Sequence, residues 1–257
     1  MLTAPTQILT GQGDDAPAAS HGARRSGGSA GFTSPRRAVV VFSGGLDSTT
    51  LVYDLHAAGA ELTLIHVDYG QRHRKEADFA QITAHRLDAP LHRVDLSSIT
   101  PLLAGSALTD DAVEVPDGHY TDATMKITVV PNRNALMLDV AVAAAVSHRC
   151  DAVAFGAHSG DHAIYPDCRP AFLAAYTASA HIANEGFIAE DFRVLAPYLN
   201  WTKAEIVARG LELGVPYADT WSCYRGGQRH SGRCGTCVER KEAFALAGAS
   251  DPTAYEE

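Results

Sequence analysis

The stretch VVVFSGGLDSTTLV, Val39 to Val52, decides how the rest of the chain is read. A β-branched apolar run stops at Ser43-Gly44-Gly45, and a helical pattern begins near Asp47. A strand that ends this way exposes several backbone N–H groups in one concavity, at the positive end of a helix dipole, which suits an anion. Gly44 and Gly45 let the main chain approach oxygen atoms with no Cβ in the way, and the hydroxyls of Ser43, Ser48 and Thr49 add donors. The plainer alternative is a tight strand-to-helix turn capped by Asp47 or Ser48. The string is neither GxGxxG nor a Walker A loop, which would need a Lys-Ser/Thr pair at the helix start.

Outward from this point, strands and helices alternate. AVVVF, ELTLIHVD, LHRVDL, DAVAFGA and FRVLAP read as strands, and the segments between them carry helical periodicity, as does TKAEIVARGLELG. Such alternation predicts an α/β fold: a Rossmann-like open parallel sheet with helices on both faces and ligands beyond the carboxyl ends of the strands. The polar segment from Ser97 to about Val130 is too long for a plain connection and reads as a lid, with disorder as the alternative. Residues 1–37, rich in Gly, Ala, Ser and Arg, read as a disordered tail, 38–218 as the main domain and 219–257 as a small C-terminal zinc-binding segment.

The formal net charge of −9 speaks against a sequence-independent grip on nucleic acid, so a small-molecule substrate is expected. With no apolar run long enough to span a bilayer and no signal-peptide pattern, neither a membrane nor an export route is expected, and the protein reads as cytoplasmic. Oligomeric state is open at this stage, a homodimer included. Cys223, Cys234 and Cys237 crowd into fifteen residues, which in a reducing compartment points to metal rather than disulfides.

Other polar clusters follow strand ends. In HVDYGQRHRKE, Asp68 can bind ribose or substrate and Arg72 can clamp an anion, unless the segment is simply a surface loop running into a charged helix start. In VPNRNALML, Asn132 reads as a cap, and Arg133 at the helix start can hold a phosphate or carboxylate. GAHSGDHAIYPDCRPAF packs Asp161, His162, Tyr165, Asp167, Cys168 and Arg169 behind a buried strand, as a site would. Cys168 reads as inert rather than nucleophilic, for lack of a partner that would make it a thiolate.

SGGLDSTT, HVDYGQRHR, VPNRN, YPDCR and TWSCYRGG followed by CGTCVER occur in one order, and together they resemble the 7-cyano-7-deazaguanine synthase family of PP-loop ATP pyrophosphatases from about Ala38 to Tyr255. The resemblance implies a two-stage reaction. ATP activates 7-carboxy-7-deazaguanine as an acyl-adenylate, ammonia converts that to the amide, and a second ATP drives the amide to the nitrile, a queuosine precursor. ATP, Mg²⁺ and Zn²⁺ are the implied cofactors.

Nucleotide contacts are implied at Phe42, Ser43, Gly44, Gly45, Leu46, Asp47 and Ser48, then at Thr49, Thr50, Leu51, Val52 and Asp68. Catalytic roles fall to Ser43, Asp47, Ser48, Arg133 and Lys203, the last at the head of WTKAEI. Substrate contacts fall to Tyr69, Gln71, Arg72, Tyr165, Asp167 and Arg169, with Asp167 reading the N–H edge of the guanine-like base.

The resemblance also implies a four-cysteine zinc site, yet in HSGRCGTCVER Ser231 stands where the second cysteine belongs. Cys223, Cys234 and Cys237 remain, with His230 as a candidate fourth ligand; a water there, or loss of the metal, are the alternatives. Three other functions stay open: a relative that stops at the amide or hands the activated deazaguanine to another acceptor, a PP-loop tRNA-modifying enzyme, and a nucleotide-binding module without chemistry.

Overall fold

The structure, a computed structural model, describes residues 33–119 and 122–256. Most of the expected N-terminal tail, residues 1–32, lies outside them. The first strand, β1 (Arg37–Val41), begins inside the expected tail boundary because the Asp151 carboxylate accepts the N–H groups of Arg36 and Arg37 at 2.9 and 2.7 Å.

From β1 the chain runs through α1 (Leu46–Ala57), β2 (Glu61–Asp68), α2 (Glu76–Arg86) and β3 (Leu91–Asp95). A segment with a short α3 (Asp122–Lys126) leads to α4 (Arg133–Ser147), β4 (Ala152–Ala154), α5 (Pro170–Ala183) and β5 (Arg193–Leu195). The chain finishes with α6 (Lys203–Glu212) and α7 (Gly235–Leu246). All strand pairs are parallel, in the order β3-β2-β1-β4-β5.

Alternation of side chains along the strands feeds two cores. Ala38 and Val40 face Leu51 and Leu55 of α1, Ile206 of α6 and Phe244 of α7. Val39 and Val153 face Leu138, Ala141 and Ala145 of α4. Helices therefore cover both faces, as the near-continuous apolar strands require. Phe244 of α7 lies in the first core, so the C-terminal segment is packed on the main body. No helix of the described residues is long and apolar enough to cross a membrane.

The strand order reverses between β1 and β4, the place where an open parallel sheet opens a crevice at its carboxyl edge. The loops after these two strands nearly touch: a Cβ on Gly156 would come within 3.3 Å of the Ser48 backbone nitrogen.

The expected lid, from Ser97 to Val130, is built into the body. Arg225 donates to Val115 O and pairs with Asp117, and Gly118 N–H donates to Arg233 O. Ala107 and Val115 pack against the cysteine cluster, while Met125 reaches the crevice.

Candidate active site and cysteine cluster

At the crevice lies a cavity of about 220 Å³. One end is the loop after β1. Gly44, at φ +87°, occupies a conformation that disfavours a side chain, and a Cβ there would lie 2.6 Å from Glu76 O and 2.7 Å from Ala80 N. This packing draws the start of α2 onto the loop. Beyond it, Ser43 Oγ accepts the Gly45 N–H and shares a hydrogen bond with Ser48 Oγ at 3.0 Å. No side chain caps α1, and the first N–H of the helix to find a backbone partner is Thr49, on Gly45 O. The amides of Leu46, Asp47 and Ser48 thus keep the unsatisfied positive end of the helix beside the cavity, which all three residues line.

Opposite the loop stands Lys203. A capping box between Thr202 and Glu205 starts α6 one residue earlier and so fixes the Lys203 backbone. Its Nζ lies 2.5 Å from Glu239 and 3.5 Å from Asp47. Burial works against the ammonium, but Asp47, Glu239 and Asp161 more than offset it, so the group is held firmly charged. Asp47 keeps its other carboxylate oxygen, Oδ1, buried with no partner.

The far end is aromatic and apolar. Arg133 sits 5.8 Å over the Tyr165 ring, with Tyr69 and Tyr224 nearby. Asn132, at φ +57°, turns the chain into α4 and so aims Arg133 inward. Met125, Met137 and Phe155 supply flat, adaptable apolar walls. Glu76 also lines the cavity, and burial pushes its pKa up to about 8 against the pull of Arg133. Burial drives His73 down to about 3, and its Nε2 lies 3.5 Å from Glu76.

A wall between the two ends comes from the C-terminal segment: Trp221, Ser222, Tyr224, Thr236 and Glu239. Behind it, the sulfurs of Cys223, Cys234 and Cys237 cluster, with Cys234 lying 3.9 Å from Cys223 and 3.4 Å from Cys237. Thiolates on one tetrahedral zinc, at about 2.3 Å from the metal, are about 3.8 Å apart. The three donors are buried and mutually within 4.8 Å, an arrangement that fits a metal ion. Hydrogen bonding with Cys223 and Cys237 holds the Cys234 thiol well below its ordinary range.

A family model described as queuosine biosynthesis protein QueC matches residues 37–248. The chain belongs to the QueC family. Among curated relatives, the 7-cyano-7-deazaguanine synthase of Rhizobium johnstonii is 55% identical over 86% of this chain and 92% of that protein. The enzyme of the same name from Brucella ovis is 55% identical over 86% and 94%. Among solved structures, the U34-tRNA thiolase NcsA from Methanococcus maripaludis covers 87% of this chain and 75% of its own, at 15% identity and a TM-score of 0.45.

Against the expected site of a QueC chain, the cavity gathers Phe42, Ser43, Gly45, Leu46, Asp47, Ser48, Tyr69, Gln71, Arg133, Tyr165 and Lys203. Gly44 lies behind it, against α2. Thr49, Thr50, Leu51 and Val52 point into the fold: Thr49 is fully buried, Thr50 Oγ1 bonds Leu46 O and the Tyr217 hydroxyl, and Leu51 and Val52 are core.

Four further residues are engaged elsewhere. Asp68 accepts the Gly70 N–H and so shapes the turn. The Arg72 guanidinium is taken up by the carbonyls of Asp110 and Val113. Asp167 accepts the Asn134 N–H at the start of α4 rather than facing the cavity, and Arg169 is exposed, donating to the carbonyls of His162 and Ala163. His230 is not part of the sulfur cluster, because its Nε2 accepts the Ser222 N–H and its ring packs 4.3 Å from Trp221. Ser231 Oγ is the atom at the fourth corner, 3.5 Å from Cys223 and 3.9 Å from Cys237.

Sequence reasoning missed Glu76, Glu239 and Trp221. Only their places inside HVDYGQRHRKE, CGTCVER and TWSCY marked them. Cys168 also lines the cavity, where burial pushes its thiol up and away from thiolate chemistry.

Proposed function

We propose that the protein is a 7-cyano-7-deazaguanine synthase. It activates the carboxylate of 7-carboxy-7-deazaguanine with ATP, replaces AMP by ammonia to form the amide, and activates the amide with a second ATP to release the nitrile. The observation that carries this reading is a single cavity joining the uncapped loop, the Lys203 ammonium and Arg133 in a chain 55% identical to curated synthases over most of their length.

Each end of the cavity suits one part of the chemistry. The amides of residues 46–48 and the hydroxyls of Ser43 and Ser48 receive the departing pyrophosphate, with the charge of Lys203 set across from them. Arg133 holds the substrate carboxylate or the α-phosphate, and Tyr69, Tyr165 and the methionines receive the flat heterocycle. Holding both partners in one pocket accounts for much of the acceleration, since nucleotide and acid must meet in line.

Mg²⁺ fits the Asp47 carboxylate, whose Oδ1 is buried and unpartnered, and it would supply charge neutralisation of the triphosphate there. Zn²⁺ fits Cys223, Cys234 and Cys237, where its role is to fix the wall that carries Trp221 and Glu239. Incubation with ATP, Mg²⁺, ammonium and 7-carboxy-7-deazaguanine, followed by mass analysis, tests the reading. The nitrile is expected; unchanged acid would overturn it, and an amide end point would restrict it to the first half.

A further inference from the structure

Ammonia presents the cavity with a proton problem. At neutral pH it arrives as ammonium, which has no lone pair to attack an acyl carbon, so amination needs a base inside the site. Most acidic and basic groups around the cavity are occupied. Asp47 and Glu239 are committed to Lys203. Asp161 accepts the backbone N–H of His158, whose Nδ1 in turn accepts that of Gly160. His66 Nδ1 lies 3.2 Å from Phe42 O, and burial lowers its basicity.

Glu76 is placed differently. The close packing of Gly44 against the Glu76 carbonyl and Ala80 brings the first residue of α2 up to the loop, and Gly45 has no side chain to stand between them. The Glu76 Oε1 atom lies 3.9 Å from where a Cβ on Gly45 would be. The side chain is buried, His73 Nε2 lies 3.5 Å from it and is kept neutral by burial, and the Arg133 charge only partly offsets the effect of burial on it.

We infer that Glu76 is the general base of the amination step, taking a proton from ammonium beside the acyl-adenylate. This rests on the adenylation reading above. In the step, Glu76 carboxylate accepts one proton from ammonium and becomes the carboxylic acid. The freed nitrogen lone pair forms the C–N bond to the acyl carbon, the C–O bond to AMP breaks, and a second nitrogen proton leaves with the AMP phosphate. Acyl-adenylate, ammonium and carboxylate thus become amide, protonated AMP and carboxylic acid, with charge conserved. Desolvation strengthens this carboxylate as a base: at neutral pH the ionised form is the minor one, but it competes for the ammonium proton far better than a surface glutamate would, and its share grows as pH rises toward 8.

The test uses the full-length enzyme with E76Q and E76D, and separates activation from amination. Activation is read as acid-dependent exchange of labelled pyrophosphate into ATP. Amination is read with ammonium and, separately, with hydroxylamine, which is a neutral nucleophile at pH 7 and needs no prior deprotonation. E76Q is expected to keep exchange and hydroxamate formation within about threefold of wild type while its ammonium reaction falls about 100-fold or more, and E76D to recover part of the loss. A parallel fall of exchange, or of the hydroxylamine and ammonium reactions together, would overturn the inference, as would an E76Q enzyme that uses ammonium normally. If wild type showed no acid-dependent exchange, the adenylation reading itself would fail, and this inference with it.

Discussion

Lys203 of α6 donates to Glu239 of α7 across 2.5 Å, and that contact joins the parallel-sheet body to the cysteine-bearing segment at the edge of the cavity. Asp47 completes the group from the loop side, 3.5 Å away. The ammonium is thus held between two carboxylates that also line the cavity. Replacing Lys203 by Met leaves those carboxylates facing one another and removes the cation. The K203M enzyme is expected to fold, because both acids are partly solvated, and to release pyrophosphate about 10²- to 10³-fold more slowly. Initial-rate pyrophosphate release, with a melting curve as control, reads both.

The two loop glycines have different reasons to be glycine, and their alanine variants should part company. Gly44 holds φ +87°, and its Cβ would meet backbone atoms of α2 at 2.6 and 2.7 Å. Gly45 holds an ordinary extended φ of −81°, and its Cβ would meet Ser43 Oγ at 3.1 Å and Trp221 O at 3.2 Å. G44A is therefore expected to lose about 2 kcal/mol or more of stability, from strain and from displacement of α2, and to express poorly. G45A should stay folded and instead weaken nucleotide binding. Chemical denaturation and nucleotide titration on the same samples distinguish the two outcomes.

These contrasts show how far the sequence could be read. The sheet, the loop after β1 and the sulfur cluster were legible because each rests on local pattern: β-branched runs, a Gly pair at a strand end, and cysteines close in the chain. Glu76 and Glu239 were not legible, since nothing local separates a functional glutamate at a helix start or in a first turn from a solvated one. Asp167 and Arg169 present the opposite case. Both follow a buried strand, as site residues do, but Asp167 satisfies an orphan N–H of α4 and Arg169 ties down its own loop. His230 looked like a ligand by adjacency, and only the fold shows its ring turned to Trp221.

Glu76 also links the cavity to stability. Its pKa rises from 4.5 to about 8 on folding, so between those values the folded chain binds a proton that the unfolded chain has lost. Stability from this residue therefore falls as pH rises through that window, and E76Q, which cannot ionise, escapes the loss. E76Q is expected to match wild type near pH 5 and to exceed it by up to a few kcal/mol near pH 9, with Arg133 limiting the gain. Denaturant melts of both proteins across that range measure the difference. A constant offset between them at all pH values would show that the Glu76 carboxyl titrates normally.

Ser231 sets the last expectation. Its Oγ accepts the N–H groups of Arg233 and Cys234 at 3.3 and 3.4 Å while facing Cys223 and Cys237, so it fills the fourth corner as a polar but neutral group. A hydroxyl is a weak partner for zinc beside three thiolates, so an ion bound here would be held by three strong ligands and be open to exchange. The purified protein is expected to carry about one zinc per chain, to lose it in C237S, and to keep it in H230A, whose missing imidazole frees the Ser222 N–H and loosens the packing on Trp221 and Tyr255 but removes no metal ligand. S231C, with a fourth thiolate in place, should hold the metal at least about tenfold more tightly in competition with a chelator. Zinc content by elemental analysis and the chelator titration decide between Ser231 and His230 as the occupant of that corner: loss of zinc in H230A, with S231C unchanged from wild type, would assign the corner to the histidine.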